Sequence, residues 1–163
     1  MVVSSIRRRK KERRNGRPKK QLMLKSNIFH NQISDISTDG IAELVQTVWN
    51  AEGQTGGEIN IILVDDDKMV ELNRAYLNRD YKTDVIAFPL SDEAAESFEG
   101  EIYISVDRVI ENALHFEVPA HVELRRMVVH GVLHFLHYSD KTVAGKERMT
   151  AREDHYLRQF ELS

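Results

Sequence analysis

The chain has 163 residues, of which 41% are hydrophobic and 30% are charged, and its formal net charge at pH 7 is −3. This composition predicts one globular domain with a single core. Cysteine is absent, which excludes disulfides, cysteine-ligated zinc, iron–sulfur clusters and thiol nucleophiles. Any metal must therefore bind to histidine, aspartate or glutamate.

Positive charge is concentrated at the start of the chain. Residues 1–20 hold ten Lys/Arg residues and one acidic residue. The rest of the chain holds 13 of the 23 basic residues and 25 of the 26 acidic residues, which gives it a formal charge of −12. Because such a run cannot be buried, we predict a disordered basic arm over residues 1–22, of the kind that neutralises nucleic-acid phosphates. Met23 directly precedes the first predicted strand, so the alternative is that translation starts there and the arm has no function.

The domain itself is predicted over residues 23–163 and begins with a strand at residues 24–29. A helix follows, with Ser37 or Thr38 as its N-cap and Gly53 at its end. Residues 58–64 alternate in polarity and predict a second strand. The apolar positions that define the helix are Ile41, Leu44, Val45, Val48 and Trp49.

A second helix is predicted from the aspartate pair at residues 65 and 66, and Met69, Leu72 and Tyr76 continue it. Two further strands follow, joined by a loop at residues 90–99. They are residues 84–88, which Pro89 ends, and residues 101–106, which Gly100 precedes.

Pro119 is predicted in the first turn of a long, largely apolar helix that runs to Leu136, as is typical of a central buried helix. The last helix is predicted at residues 147–160. These patterns together predict a single α+β domain with a mixed sheet of about four strands and about five helices.

No segment has the properties of a membrane span or a secretory signal. The longest apolar stretch, residues 127–136, is interrupted by two histidines and is shorter than the ~20 residues that a span needs. The basic residues at the start lead only into Leu22, Met23 and Leu24, short of the ~7–15 apolar residues of a signal. We therefore expect a cytoplasmic protein.

The segment with the clearest chemistry is residues 130–140, HGVLHFLHYSD. Histidines at positions i and i+4 of a helix project from one face, so His130 and His134 can both direct a nitrogen at one ion about 2 Å away. Asp140 follows the predicted helix end and can supply a third ligand, leaving a fourth position open as in catalytic sites. The alternatives are that these histidines belong to the core without an ion, or that His137 is the third ligand.

Several segments share a pattern with one known family. The HGVLHFLHYSD segment is similar to the HGxLHxxGYDH of the YbeY family of ribosomal RNA maturation factors. Residues 72–76 (LNRAY) and 83–89 (TDVIAFP) resemble its LNxxYR…PTDVLSFP, and residues 100–105 (GEIYIS) resemble its GDIxIS strand. The residues that match the family's ending are Met149, Glu153, Tyr156 and Leu157.

The resemblance implies a zincin-like α+β fold and a metal-dependent endoribonuclease, a hydrolase directed at single-stranded RNA, that acts in ribosomal RNA processing and ribosome biogenesis. His130 and His134 match the first two metal histidines, and Asp140 stands where the family has its third. One divalent ion is implied, with Zn²⁺ expected, and ribosomal RNA and small-subunit components are the implied partners. An aspartate in the third position shifts the preference towards harder ions.

The sequence also departs from the family. Leu77 occupies the place of an arginine with which the family handles phosphate, and Arg79 or Arg74 is the candidate replacement. Arg79 and Asp84 are the candidate catalytic residues. The weaker candidates for the substrate cleft are Thr83 and Ser105, whose alternative roles are turn formation and strand-end capping.

Gly131 follows His130 directly, where a zincin protease has a glutamate that accepts a proton, so the sequence argues against peptidase chemistry. RNA binding by a body with a charge of −12 requires a local basic groove or the arm, and Arg125 and Arg126 are candidates. Two other functions stay open: a non-catalytic ribosome-assembly factor with a structural metal, and a metallohydrolase with another substrate.

Overall fold

The computed structural model describes residues 22–30, 34–93 and 95–163. The predicted basic arm, apart from Leu22, lies outside these ranges. Among the helices that are described, none is both long and apolar enough to cross a membrane.

Four strands form one mixed sheet: β1 (Lys25–His30), β2 (Glu58–Val64), β3 (Val85–Pro89) and β4 (Glu99–Ser105). Their order is β1-β2-β4-β3, with β1, β2 and β4 parallel and β3 antiparallel to β4. Ile61 of β2 pairs with Ile28 on one side and Ile102 on the other. The four predicted strands are confirmed, with their ends shifted by no more than two residues.

Five α-helices surround the sheet: α1 (Ile41–Ala51), α2 (Asp66–Leu72), α3 (Val106–His115), α4 (Ala120–Phe135) and α5 (Val143–Glu161). A π-helical turn, Asn73–Leu77, continues α2. Tyr76 lies in that turn and is 68% exposed, so it does not extend the buried side of α2. The α+β class with a mixed four-stranded sheet and five helices is confirmed.

Three predicted helix starts differ in detail from the structure. The N-cap of α1 is Gly40, at a φ of 74°, and no side chain caps the helix; Ser37 instead accepts a hydrogen bond from the Asp39 amide at 3.2 Å. Helix α5 begins at Val143, four residues before the predicted start, because the Thr142 hydroxyl caps it by accepting from the Gly145 amide. Pro119 is the N-cap residue of α4, one place before the first turn.

Helix α4 lies at the centre of the molecule, as its apolar sequence predicts. Leu124, Val128, Val132 and Leu133 have no exposed surface. The helix packs closely on the sheet, since a Cβ atom added at Gly131 would lie 2.6 Å from the Ile102 side chain of β4. The last turns of α4 are thereby held at a fixed height above the sheet, and these turns carry the two histidines.

Candidate metal centre

The end of α4 and the loop after it bring His130, His134 and Asp140 together. The two Nε2 atoms are 3.0 Å apart, and the Asp140 Oδ2 atom lies 3.5 Å from His130 Nε2 and 3.8 Å from His134 Nε2. Within the described part of the chain, these three residues are the group of histidine and carboxylate side chains that could hold a metal ion.

The spacing of these three atoms fits one small divalent cation. Ligands about 2.0–2.1 Å from a tetrahedral ion are about 3.3 Å from one another, close to the observed separations. The histidine side chains are 26% and 32% exposed and that of Asp140 is 43% exposed. One side of the group therefore faces solvent, where a substrate oxygen can approach.

The loop that returns Asp140 to the helix begins with a left-handed residue. His137 has a φ of 66°, and the Tyr138 amide donates to the Leu133 carbonyl while the His137 amide donates to the His134 carbonyl. These two bonds form a Schellman motif, which usually has glycine at the position of His137. The turn leaves His137 outside the three-residue group, so its geometry favours Asp140 as the third ligand.

Tyr138 anchors the same loop to the body of the protein. Its hydroxyl donates to Glu52 at 3.2 Å, and Glu52 also accepts from Arg152 at 2.9 Å and from Tyr156 at 2.5 Å. Glu52 follows α1, and Arg152 and Tyr156 lie on α5. This cluster therefore fixes the loop against two helices. The position of Asp140 thus depends on contacts well outside the metal site.

Glu153 orients the first histidine. Its Oε1 lies 2.7 Å from His130 Nδ1, so the ring is held with Nε2 towards the other two side chains, as is usual for a metal-bound histidine. Arg126 pairs with the second oxygen of Glu153 at 3.3 Å. Sequence reasoning did not assign this role, although an acid within the apolar stripe of α5 was a usable signal.

His134 is suited to bind a cation at neutral pH. Burial lowers the pKa of its imidazole, and the neighbouring His130 lowers that pKa further. The ring is therefore neutral at pH 7, and a neutral nitrogen lone pair is what a metal ion requires.

A cavity of about 900 Å³ opens beside the three residues. The candidates from the sequence that line it are Arg79, Asp84 and Thr83, and Leu77, which stands in place of the family's arginine, lines it too. Arg74 and Ser105 do not: Arg74 pairs with Asp80 at 2.6 Å, and the buried Ser105 caps α3. The cavity also contains Lys141 and Lys146, two cations that the sequence did not single out.

A second cavity, of about 730 Å³, lies on the other side of His134 and is acidic. Its acidic lining residues are Glu52, Asp92, Glu93 and Glu96.

The two arginines of α4 that the sequence offered for RNA binding are both engaged within the described part of the chain. Arg126 pairs with Glu153 and Asp154. Arg125 donates to the Asp39 carbonyl, and its guanidinium carbon lies 5.0 Å from the Phe160 ring centre. A local basic groove must therefore be built from other side chains.

The fold and the site define a class of protein: a single α+β domain with a three-residue group suited to a metal ion, set between two clefts. The family described as Endoribonuclease YbeY matches residues 26–161 of the chain. The chain therefore belongs to the Endoribonuclease YbeY family.

Individual relatives agree with this membership. The Endoribonuclease YbeY of Flavobacterium psychrophilum is 45% identical over 116 residues, which are 71% of this chain and 81% of that protein. The Endoribonuclease YbeY of Salinibacter ruber is 37% identical over 70% of this chain and 77% of that protein. The solution structure of TM1509 from Thermotoga maritima is similar with a TM-score of 0.59 and 28% identity, covering 85% of this chain and 89% of that one.

Proposed function

We propose that the chain is a metal-dependent endoribonuclease that cuts single-stranded ribosomal RNA during its maturation, in the cytoplasm and together with small-subunit components. The observation that carries this proposal is the cluster of His130, His134 and Asp140, whose separations suit one cation and whose open side faces a cleft. Family membership adds the substrate class, because the relatives are named endoribonucleases.

Zn²⁺ is the proposed ion because imidazole nitrogens suit it, while the aspartate ligand makes Mn²⁺ the main competitor. The cation would supply Lewis-acid stabilisation of the charge that develops on the scissile phosphate. Glu153 holds the His130 ring in the orientation that leaves Nε2 available. Arg79, in the wall of the same cavity, is the proposed contact to a phosphate oxygen in place of the arginine that Leu77 replaces.

Asp84 is proposed to stabilise one wall of the cavity. Its Oδ2 accepts from the Asn112 side-chain amide at 3.2 Å, and its backbone carbonyl accepts from the Ser105 amide at 3.0 Å. These bonds join the start of β3 to α3 and to the end of β4, and so fix one wall of the cavity in which the RNA would lie.

The test measures metal content and RNA cleavage in the same preparations. Wild-type protein should carry about one equivalent of ion by elemental analysis and should cut single-stranded ribosomal RNA, and a chelator should abolish the cutting. His134→Ala should lose both properties. The matched control is His121→Ala, on the same helix but in neither cavity, which should keep both. Bound metal without cleavage would favour the assembly-factor alternative, and neither metal nor cleavage would reject the site.

A further inference from the structure

Glu123 is a buried acid that lines the larger cavity. Its side chain lies in the first turn of α4, and the residue is 4% exposed. Among the described residues it forms no ion pair, and the only hydrogen bond to its side chain comes from the Asn112 side-chain amide, at 3.4 Å from Oε1. A carboxylate in such a place is costly, because a buried charge needs a counter-ion or several donors.

The groups around Glu123 act in both directions on its ionisation, and burial is the largest influence. Asp84, just before β3, shares the side-chain amide of Asn112 with Glu123. Glu153 of α5 is a second acid near Glu123. The nearby cation is Arg126 of α4, which is paired with Glu153 and Asp154. Burial raises the pKa of Glu123, and this outweighs the lowering by Asn112 and Arg126. The carboxyl group therefore keeps its proton at a higher pH than an ordinary glutamate does.

Glu123 also faces the reaction site. It lines the 900 Å³ cavity together with His130, His134 and Asp140, and it precedes His130 by seven residues, which places both on one side of α4. Two helical turns separate the two residues by about 10 Å along the axis. Both residues line one cavity of about 900 Å³, which is large enough to hold a phosphodiester.

We propose that Glu123 is a catalytic residue that donates its proton to the ribose oxygen leaving the phosphorus; this inference rests on the proposed function. The oxygen of a water molecule forms a bond to phosphorus and loses one proton to solvent. The bond from phosphorus to the leaving ribose oxygen breaks, and that oxygen takes the proton of Glu123. The carboxylate regains a proton from solvent before the next turnover, and nothing is oxidised or reduced.

The test compares wild type and Glu123→Gln on two substrates that differ in their need for an acid. On a single-stranded RNA oligonucleotide, the loss of a general acid should lower kcat by about 10²-fold or more. On thymidine 5′-(4-nitrophenyl phosphate), whose nitrophenolate leaves without protonation, the same variant should stay within about tenfold of wild type. The matched control is Glu147→Gln, an exposed acid on α5 that lines neither cavity and should change neither rate.

The pH profile gives a second readout. The proton must be present for the reaction, so kcat of the wild type on RNA should fall as the pH rises through the raised pKa of Glu123, and Glu123→Gln should lack that limb. Equal losses on both substrates, or no loss on either, would overturn the inference. If instead His134→Ala cuts RNA as fast as wild type, the proposed function fails and not this inference alone.

Discussion

At the scale of single residues, the side chains behind the proposed ligands decide how well those ligands bind. Glu153 is 6% exposed and contacts His130 at 2.7 Å, so it contributes orientation and negative charge without touching the ion. Groups in this position usually change metal affinity by about 10–100-fold. The functional site therefore includes side chains that do not contact the cation.

We expect Glu153→Gln to lower the affinity for Zn²⁺ by about 10–100-fold, because the neutral amide no longer fixes the His130 ring in one tautomer. A competition titration with a chromophoric chelator measures this affinity. The control is Glu147→Gln, since Glu147 is an exposed acid on the same helix and lines neither cavity. It should keep the wild-type affinity. An unchanged affinity in Glu153→Gln would show that other contacts orient His130.

The three proposed ligands could be predicted from the sequence because they are close together in it. His130 and His134 share one helical face, and Asp140 follows the helix end, so local geometry is enough to bring them together. Glu153 and Lys146 belong to α5, and their place in the site depends on how α5 packs on α4. Local periodicity carries no information about that packing, so sequence reasoning gave neither residue a role in the site.

At the scale of secondary structure, the contact between α4 and β4 sets the height of the metal site above the sheet. A Cβ atom at Gly131 would lie 2.6 Å from Ile102 Cγ2 and 3.0 Å from its Cδ1. We expect Gly131→Ala to lower the free energy of unfolding by about 1–3 kcal/mol, the usual cost of overpacking a core. Urea denaturation followed by circular dichroism measures it.

The double variant Gly131→Ala with Ile102→Ala is the control for this prediction. Removing the Ile102 side chain makes room for the added methyl group, so the two substitutions should cost less together than the sum of their separate costs. Strictly additive costs would show that the methyl group does not meet Ile102.

The strands and most helices were predictable, because within each of them the apolar residues recur at the spacing typical of that structure. Helix α3 is the one that apolar spacing does not locate, since only Val106, Val109 and Ala113 of it are buried and Val106 also fits the end of the preceding strand. The start of α1 was mispredicted for a different reason. Gly40 lies against the Phe160 ring, a contact between distant parts of the chain that no local capping rule contains.

At the scale of the whole molecule, the two clefts differ in charge: among the described residues, the larger is lined by four Lys/Arg and four acidic residues, and the smaller by acidic residues without Lys or Arg. Arg79, Lys141 and Lys146 line the larger cavity and form no ion pairs among the described residues, while the charged side chains that line the smaller cavity, apart from histidines, are all acidic in the part of the chain described. Phosphates are attracted to the cations of the first and repelled by the second. We therefore expect the RNA backbone to reach the metal site from the side of the lysines.

This arrangement predicts how RNA binding depends on salt. Each lysine that contacts a phosphate contributes about 0.7 to the slope of log K against log salt concentration for single strands, so Lys141→Ala with Lys146→Ala should reduce the slope by up to twice that amount. Fluorescence anisotropy with a labelled oligonucleotide, in the presence of a chelator to prevent cleavage, measures the slope. The matched control is Arg148→Ala with Arg158→Ala, which removes two exposed charges of α5 that line neither cavity. If both pairs reduce the slope equally, the lysines act only through net charge, and the backbone does not follow the larger cleft.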